Sequence, residues 1–455
     1  MRKLKMLLLN LVILMLFAMP AYAEMTLTVD GKEFALETIN QQGSSLIPLR
    51  DASEVLGAKV NYISDLGVAY IERYGTVLQI NMGDGLAYLN SKMVSSGVPP
   101  VVINGKAYVP LRFLAESLNY EVVYDNGRTN LTSKPIAKVH FIDVGFGDAI
   151  FIQLLNDKNI LIDAGDKKGG GLVATYLRNH GVKEIDVLVA STTAEEHMGG
   201  IPAVLRAFKV NKLIDSYNAS NEDFYKEYKA ELEKRNILHE QASKQKYDYS
   251  GVVFEILSNT NKMMNQSSPT KTIISSLTVG KYSFLFMSDR TGQNELTDIP
   301  NNNYTVLKVA DHAGIVSSSQ KLIDRVKPEV AVVTGDDSKA GYPKGTTLQR
   351  IKESGADLYS TGTNGNIIVE TNELEYKVKV DNDQPIEILP EKEHELHLTT
   401  GAQNGKYVGD RTTGFYHHPN CEEVNYISEE NKVWFIDKLH AELSGYKPDE
   451  ICRPK

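Results

Sequence analysis

The sequence predicts an α+β protein of several domains, and three observations predict it. A chain of 455 residues allows about three domains at ~150 residues each. Residues 24–133 contain an internal repeat in which a short helix is followed by an alternating strand. Residues 138–200 then pass from strands to a helix, a buried apolar strand and a polar loop, a succession by which mixed α and β layers are built. A compact C-terminal unit with both cysteines ends the chain. The composition is that of an ordinary globular protein, 42% hydrophobic and 24% charged, with one Trp and two Cys.

At the N-terminus, Arg2, Lys3 and Lys5 precede an apolar run from Met6 to Met19, and Ala21-Tyr22-Ala23 follows as a small-x-small cleavage pattern. The run is shorter than the ~20 apolar residues a membrane-spanning helix needs. The expectation is therefore a signal peptide over residues 1–23, cleavage near Ala23, no transmembrane helix in the mature chain and a secreted or cell-surface location. Cleavage removes three positive charges and no acidic ones, taking the formal net charge from −9 to −12. That balance argues against a general nucleic-acid-binding surface, whose affinity comes from neutralising phosphates; a local basic channel stays open.

The repeat over residues 24–133 is explicit. Ile47-Pro48-Leu49-Arg50-Asp51-Ala52 returns as Val109-Pro110-Leu111-Arg112-Phe113-Leu114, and Tyr62 and Tyr124 keep the same offset of 62 residues. Each copy places Pro at a helix start, where its missing N–H costs little. Upstream, Val29-Asp30-Gly31-Lys32 and Ile103-Asn104-Gly105-Lys106 read as hairpin turns. Two small αβ units are expected. The pattern resembles the copper amine oxidase N-terminal-like stalk domain of exported proteins, which implies a folded spacer with a cell-wall or surface partner. Copper is not expected, because the segment has no His and no Cys. Arg50 and Arg112 are expected to brace the repeat.

In the central region, Lys138 to Asp166 reads as two strands joined by a hairpin. A helix ending near His180-Gly181, an apolar strand from Ile185 to Ala190 and a loop carrying Glu195-Glu196-His197 follow. Val144 to Ala149 (VGxGDA), Leu161 to Gly165 (LIDAG) and His197 to Gly200 (H-x-G-G) resemble the metallo-β-lactamase fold, specifically the hydrolase domain of the competence DNA-uptake (ComEC-like) family. The resemblance implies a four-layer αββα sandwich over residues 138–380. That family's H-x-H-x-D-H motif supplies zinc ligands; this chain has Thr192 and Ala194 in place of the first two histidines, Glu196 in place of Asp, and His197 unchanged. Ser288-Asp289 stands for the family's G-D, and Lys308 to Gly314 for K-V-x-H-H-G-S, keeping His312. Gly341-Tyr342-Pro343-Lys344 stands for G-H-P-H.

The set carried over by that resemblance is Glu196, His197, Asp289 and His312, enough for one divalent ion such as zinc with a water, and not for two. Asp163 would orient the metal loop from behind the ligands or cap the turn before Gly165. Asp143 and Asp148 are expected to serve the Gly145-Phe146-Gly147 turn. Three readings stay open: a metal-free pseudoenzyme that binds a ligand or partner, a mononuclear hydrolase of phosphodiesters or related esters, and a structural role. The ligand or substrate, with nucleic acid and its fragments among the candidates, is not readable. The charged stretch Phe224 to Glu240 has helical spacing, and Ser317-Ser318-Ser319 looks like a cap for a helix from Gln320 to Val326.

Residues 381–404 read as a linker. Residues 405–455 resemble the small Ada-type zinc-binding module, with His417, Cys421, Asp449 and Cys452 in the ligand positions and Asp449 where that pattern has Cys. Two accounts of the cysteines stay open. Zinc has chemically acceptable ligands here, and an exported chain with an even Cys count favours a Cys421–Cys452 disulfide. Either would staple a unit too small to rely on its core.

Overall fold

The structure, a computed structural model, describes residues 22–216, 220–258, 272–336, 338, 342–386, 388, 406–435, 438–443, 446–449 and 452. The expected signal peptide up to residue 21 and most of the expected linker lie outside them. Tyr22 and Ala23 begin the strand Tyr22–Val29, where they pair with Ile39 and Thr38. Among the described residues no helix is long and apolar enough to cross a membrane. The chain divides into two compact units at Pro135 and Ile136.

The first unit is built on the repeat. Asp30-Gly31 and Asn104-Gly105 adopt positive φ (47° and 81°, 51° and 79°), which a two-residue hairpin requires to match strand twist. Pro48 and Pro110 cap the helices Leu49–Val55 and Leu111–Ser117 at φ −59°. The two copies join through their equivalent strands, with Tyr108 opposite Pro48 and Pro110 opposite Leu46, inside a seven-stranded sheet. After the helices they diverge. Lys59–Ile63 opens a five-stranded meander, whereas Tyr120–Asp125 pairs back into the larger sheet. One core holds Ile47, Leu49 and Leu78 together with Val109, Leu111 and Leu131, so the expected two units are one domain. A seven-residue helix on a short hairpin buries too little to stand alone.

The second unit contains the central domain. Three strands, Ala137–Phe141, Ile150–Leu154 and Asn159–Ile162, run antiparallel where two were expected. The additional reversal falls at Asn156 and Asp157, both at positive φ and both residues that tolerate it. These strands lie in an eight-stranded sheet, and a seven-stranded sheet packs against it. Alternation separates the faces. Phe151, Leu161 and Leu188 pack with Val173 and Leu177 of the helix Gly169–Asn179 and Val204 of the helix Ile201–Ala207. Ile152, Ile160, Ile162 and Val189 are buried outside that cluster, and Phe141 meets Phe286 of the other sheet with ring centroids 6.5 Å apart. Leu285, Leu307 and Ala331 then pack with Leu322 and Ile351 of the helices Gln320–Val326 and Gly345–Glu353. Helix, sheet, sheet, helix is the four-layer order expected.

Local expectations meet varied outcomes. Ser319 Oγ accepts from Leu322 N at 3.3 Å and caps its helix as read. The charged helix, Asp223–Arg235, stops earlier than its spacing suggested because Asn236 turns left-handed at φ 49°, and His239–Gln241 becomes a strand. The C-terminal residues form a four-stranded sheet with Tyr416, Val433, Phe435 and Tyr446 in its core.

Candidate metal centre

Five parallel strands deliver the polar residues of the central domain to one place, their C-terminal ends, where open α/β sheets hold ligands. Asp163 follows Asn159–Ile162 and Ser191 follows Val187–Ala190 in one sheet. Asp289, His312 and Thr334 follow Tyr282–Phe286, Val306–Lys308 and Val330–Val333 in the other. The short helix Glu195–Met198, which replaces the expected loop, carries His197.

Its tight backbone explains two glycines of the motifs. A Cβ on Gly200 would fall 2.0 Å from the carbonyl oxygen of Ala164, and one on Gly147 2.4 Å from that of Glu196. Neither partner is a side chain that can move aside, so the turn, the helix start and the LIDAG loop interlock only with glycine. Asp311, His312 and Ala313 lie consecutively at φ 46°, 48° and 60°, a run costing about 1–3 kcal/mol per residue that the packed surroundings must hold in place.

His197 is fully buried. Its Nδ1 lies 2.8 Å from Asp163 Oδ2 and its Nε2 lies 3.1 Å from Asp289 Oδ2. Asp163 also accepts from Ser191 N at 2.7 Å and from Ser191 Oγ. Asp163 therefore fixes the ring that faces Asp289, the orienting role implied for it. Burial opposes charge on His197, yet the carboxylates of Asp289, Asp148 and Asp163 outweigh it and hold the imidazole well above its ordinary pKa. Against the burial penalty, the same histidine, with His312 and Lys447, holds Asp289 well below the usual carboxylate range.

His312 Nδ1 donates to the Thr334 carbonyl oxygen at 2.9 Å. Its ring packs on Phe146 at 4.3 Å between centroids, and burial lowers its pKa. His312 Nε2 and Asp289 Oδ1, 3.8 Å apart, are buried and have no hydrogen-bond partner among the described residues. Two orphaned polar atoms aimed at one point are what a guest ion satisfies. The 3.1 Å between His197 Nε2 and Asp289 Oδ2 is close to the roughly 3.3 Å separating tetrahedral donors at zinc bond lengths. One divalent ion fits His197, Asp289 and His312, whose donor atoms lie within 4.8 Å of one another. Half-buried Glu196 is outside that group, and its backbone carbonyl accepts from Asp148 N at 3.1 Å. Thr192 and Ala194 offer no second imidazole pair.

Asp148 corrects the sequence reading. Asp143 does serve the turn, its Oδ1 accepting from Gly145 N at 3.1 Å. Asp148 instead sits fully buried behind the site, bound by Lys308 Nζ and Thr334 Oγ1, with His197 Nδ1 at 3.6 Å and His312 Nδ1 at 3.5 Å. Burial would raise its pKa; Lys308 and the two histidines together lower it. A lone Lys in the apolar run Thr305 to Ala310 was the one available signal, because a lysine buried on both sides of a strand needs a carboxylate.

In the C-terminal unit, the Cys421 and Cys452 sulfurs are 2.26 Å apart, joined as a disulfide. This is the second of the two accounts left open. His417 Nδ1 and Asp449 Oδ1 lie 3.3 and 3.2 Å from Cys452 Sγ, so all four expected residues do converge.

Residues 28–133 match the copper amine oxidase N-terminal domain. Recombination protein 2 of Haemophilus influenzae is 26% identical over 244 residues, 52% of this chain and 29% of its own length. ComE operon protein 3 of Bacillus subtilis is 23% identical over 257 residues, 50% of this chain and 32% of its own. The chain thus spans about a third of the length of these curated relatives. Among solved structures, the metallo-β-lactamase fold protein YhfI of Bacillus subtilis is similar over 52% of this chain and all of its own, at 10% identity and a TM-score of 0.34.

Proposed function

We propose that this is an exported binding protein on a metallo-β-lactamase-type hydrolase scaffold, which holds one divalent ion and recognises an oxyanion of the phosphodiester class, nucleic-acid fragments included. The observation that carries the reading is the orphaned pair His312 Nε2 and Asp289 Oδ1 beside His197. Bound there, an ion supplies Lewis acidity toward a phosphoryl oxygen. The chain's own residues do the rest: Asp163 fixes the His197 ring, Thr334 fixes His312, and Phe146 and Tyr342 wall the site, their ring centroids 5.4 Å apart. Similarity to competence-related relatives over about half the chain favours a nucleic-acid setting. The signal peptide, the linker over residues 381–404 and the Ada-type identity of residues 405–455 belong to the same proposal, as does a surface partner for the N-terminal domain.

A second reading, a mononuclear hydrolase, rests on the same open atoms, since an ion held on one side leaves room for a water. The test separates the two. A short single-stranded oligonucleotide and bis(p-nitrophenyl) phosphate are given to the chain with Mn²⁺ or Zn²⁺. Metal-dependent binding without turnover is expected, and that binding should be lost in His312→Ala. Steady turnover abolished by His312→Ala would establish the hydrolase, whereas binding unchanged by that variant and by chelation would remove the site from either role.

A further inference from the structure

The C-terminal unit is joined to the loops that carry the candidate ligands. Ile315, three residues after His312, packs into that unit's core with Tyr416, Phe435 and Tyr446. A Cβ on Gly414 would fall 2.7 Å from Val316, and one on Gly292, three residues after Asp289, would fall 2.4 Å from the Thr412 carbonyl oxygen. On this platform the strand Lys447–Pro448 pairs with Phe415–His417, and Lys447 N donates to the Gly414 carbonyl at 2.9 Å. Lys447 Nζ then reaches Asp311 Oδ1 at 3.5 Å. Asp311 occupies the position at which the resembling family carries the first histidine of its H-H pair. It is buried, and its second oxygen accepts from Tyr342 Oη at 3.4 Å.

Charge balance gives this contact its meaning. Asp148, Asp163 and Asp289 converge on His197, Asp311 adjoins His312 and lies within the field of Asp289, and the fully buried Lys308 is committed to Asp148. Asp289 is met by His197 at 3.1 Å; on the Asp311 side the cation that faces the carboxylate is Lys447, from a half-exposed side chain. Buried carboxylates without a cation are costly, and in two-ion sites of this kind a second metal meets that demand.

We infer that Lys447 supplies the second positive charge of the central site: the C-terminal unit places a tethered ammonium group against Asp311, and so completes with protein what a second divalent ion would otherwise provide. This ammonium, held against Asp311, makes the C-terminal unit a part of the site and gives an oxyanion two cationic contacts, the ion and the lysine. The oxyanion part rests on the proposed function; the charge-replacement part does not.

Two measurements on the full, oxidised chain test it. In chelator, Lys447→Met should lower the folding equilibrium constant about fivefold or more, and Asp311→Asn should relieve most of that loss, because the cost is an uncompensated carboxylate; Lys447→Arg should behave as the parent. In a Mn²⁺ titration, Lys447→Met should bind one ion more than the parent chain, and the Met/Asn double variant should not. An additive cycle, or a Mn²⁺ count that Lys447→Met leaves unchanged, overturns the inference. A parent chain that binds no Mn²⁺ while the variant gains one would sink the one-ion reading and leave Lys447 in its role.

Discussion

Two buried cations near the candidate ligands meet opposite surroundings. Lys308 is fully buried, and its ammonium binds the Asp148 carboxylate, with the Ser288 carbonyl at 3.4 Å. Arg290, adjacent to Asp289 and equally buried, hydrogen-bonds among the described residues to neutral groups: Thr272 Oγ1 at 3.1 Å, the Thr272 carbonyl at 2.6 Å and Ser258 Oγ at 3.3 Å. Burial pushes its guanidinium down to about 10, only partly opposed by Asp298. Negative charge is therefore concentrated on the deep and open walls of the site and does not extend to the flank a residue away. The domain buries ions for a purpose at one place and tolerates one at the other.

The largest expected effect breaks the first case. Lys308→Met leaves Asp148 charged and unpaired in the interior, and breaking such a pair costs about 3–5 kcal/mol. Arg290→Met removes a donor from the Thr272 carbonyl and from the Thr272 and Ser258 hydroxyls without stranding a charge, at about 1–3 kcal/mol. Urea unfolding followed by circular dichroism compares the two; equal losses would remove the distinction.

Glu295 sharpens the same comparison from the carboxylate side. It is 1% exposed and is met by the amide of Ser319 at 3.1 and 3.0 Å from its two oxygens. Burial outweighs those donors and pushes it up to about 7. The sign follows from linkage: with a folded pKa above the unfolded one, the folded chain holds this proton more tightly. Stability from this group is full below about pH 4.5, falls as pH rises to about 7 and is then flat, a swing of up to about 3 kcal/mol. Glu295→Gln keeps an acceptor for Ser319 and should flatten the slope between pH 5 and 7 in unfolding experiments. An unchanged slope would assign it to other groups.

How much of this was legible in the sequence divides along the same line. His197, Asp289, His312 and Asp163 are legible as candidates because each sits in a short local motif near a strand end. The Asp148–Lys308 pair was missed because 160 residues and two sheets separate its halves, and Asp148 sits in a turn-like G-D that offers a simpler role. Lys447 was invisible for a related reason: its meaning depends on how the C-terminal unit docks. Glu196 was carried over from the position of a motif Asp, and the structure gathers His197, Asp289 and His312 without it. The fold was clearer, since period-two strands and turn residues are local signals; the fused repeat was not, because sharing a core is a tertiary fact.

The proposed central site holds one ion and no more. Equilibrium dialysis of the oxidised parent chain against Mn²⁺, with bound metal counted by atomic emission, tests it directly. One ion per chain is predicted, reduced to none by His312→Ala with the fold retained by circular dichroism. Two ions per parent chain, or one that survives His312→Ala, would contradict it.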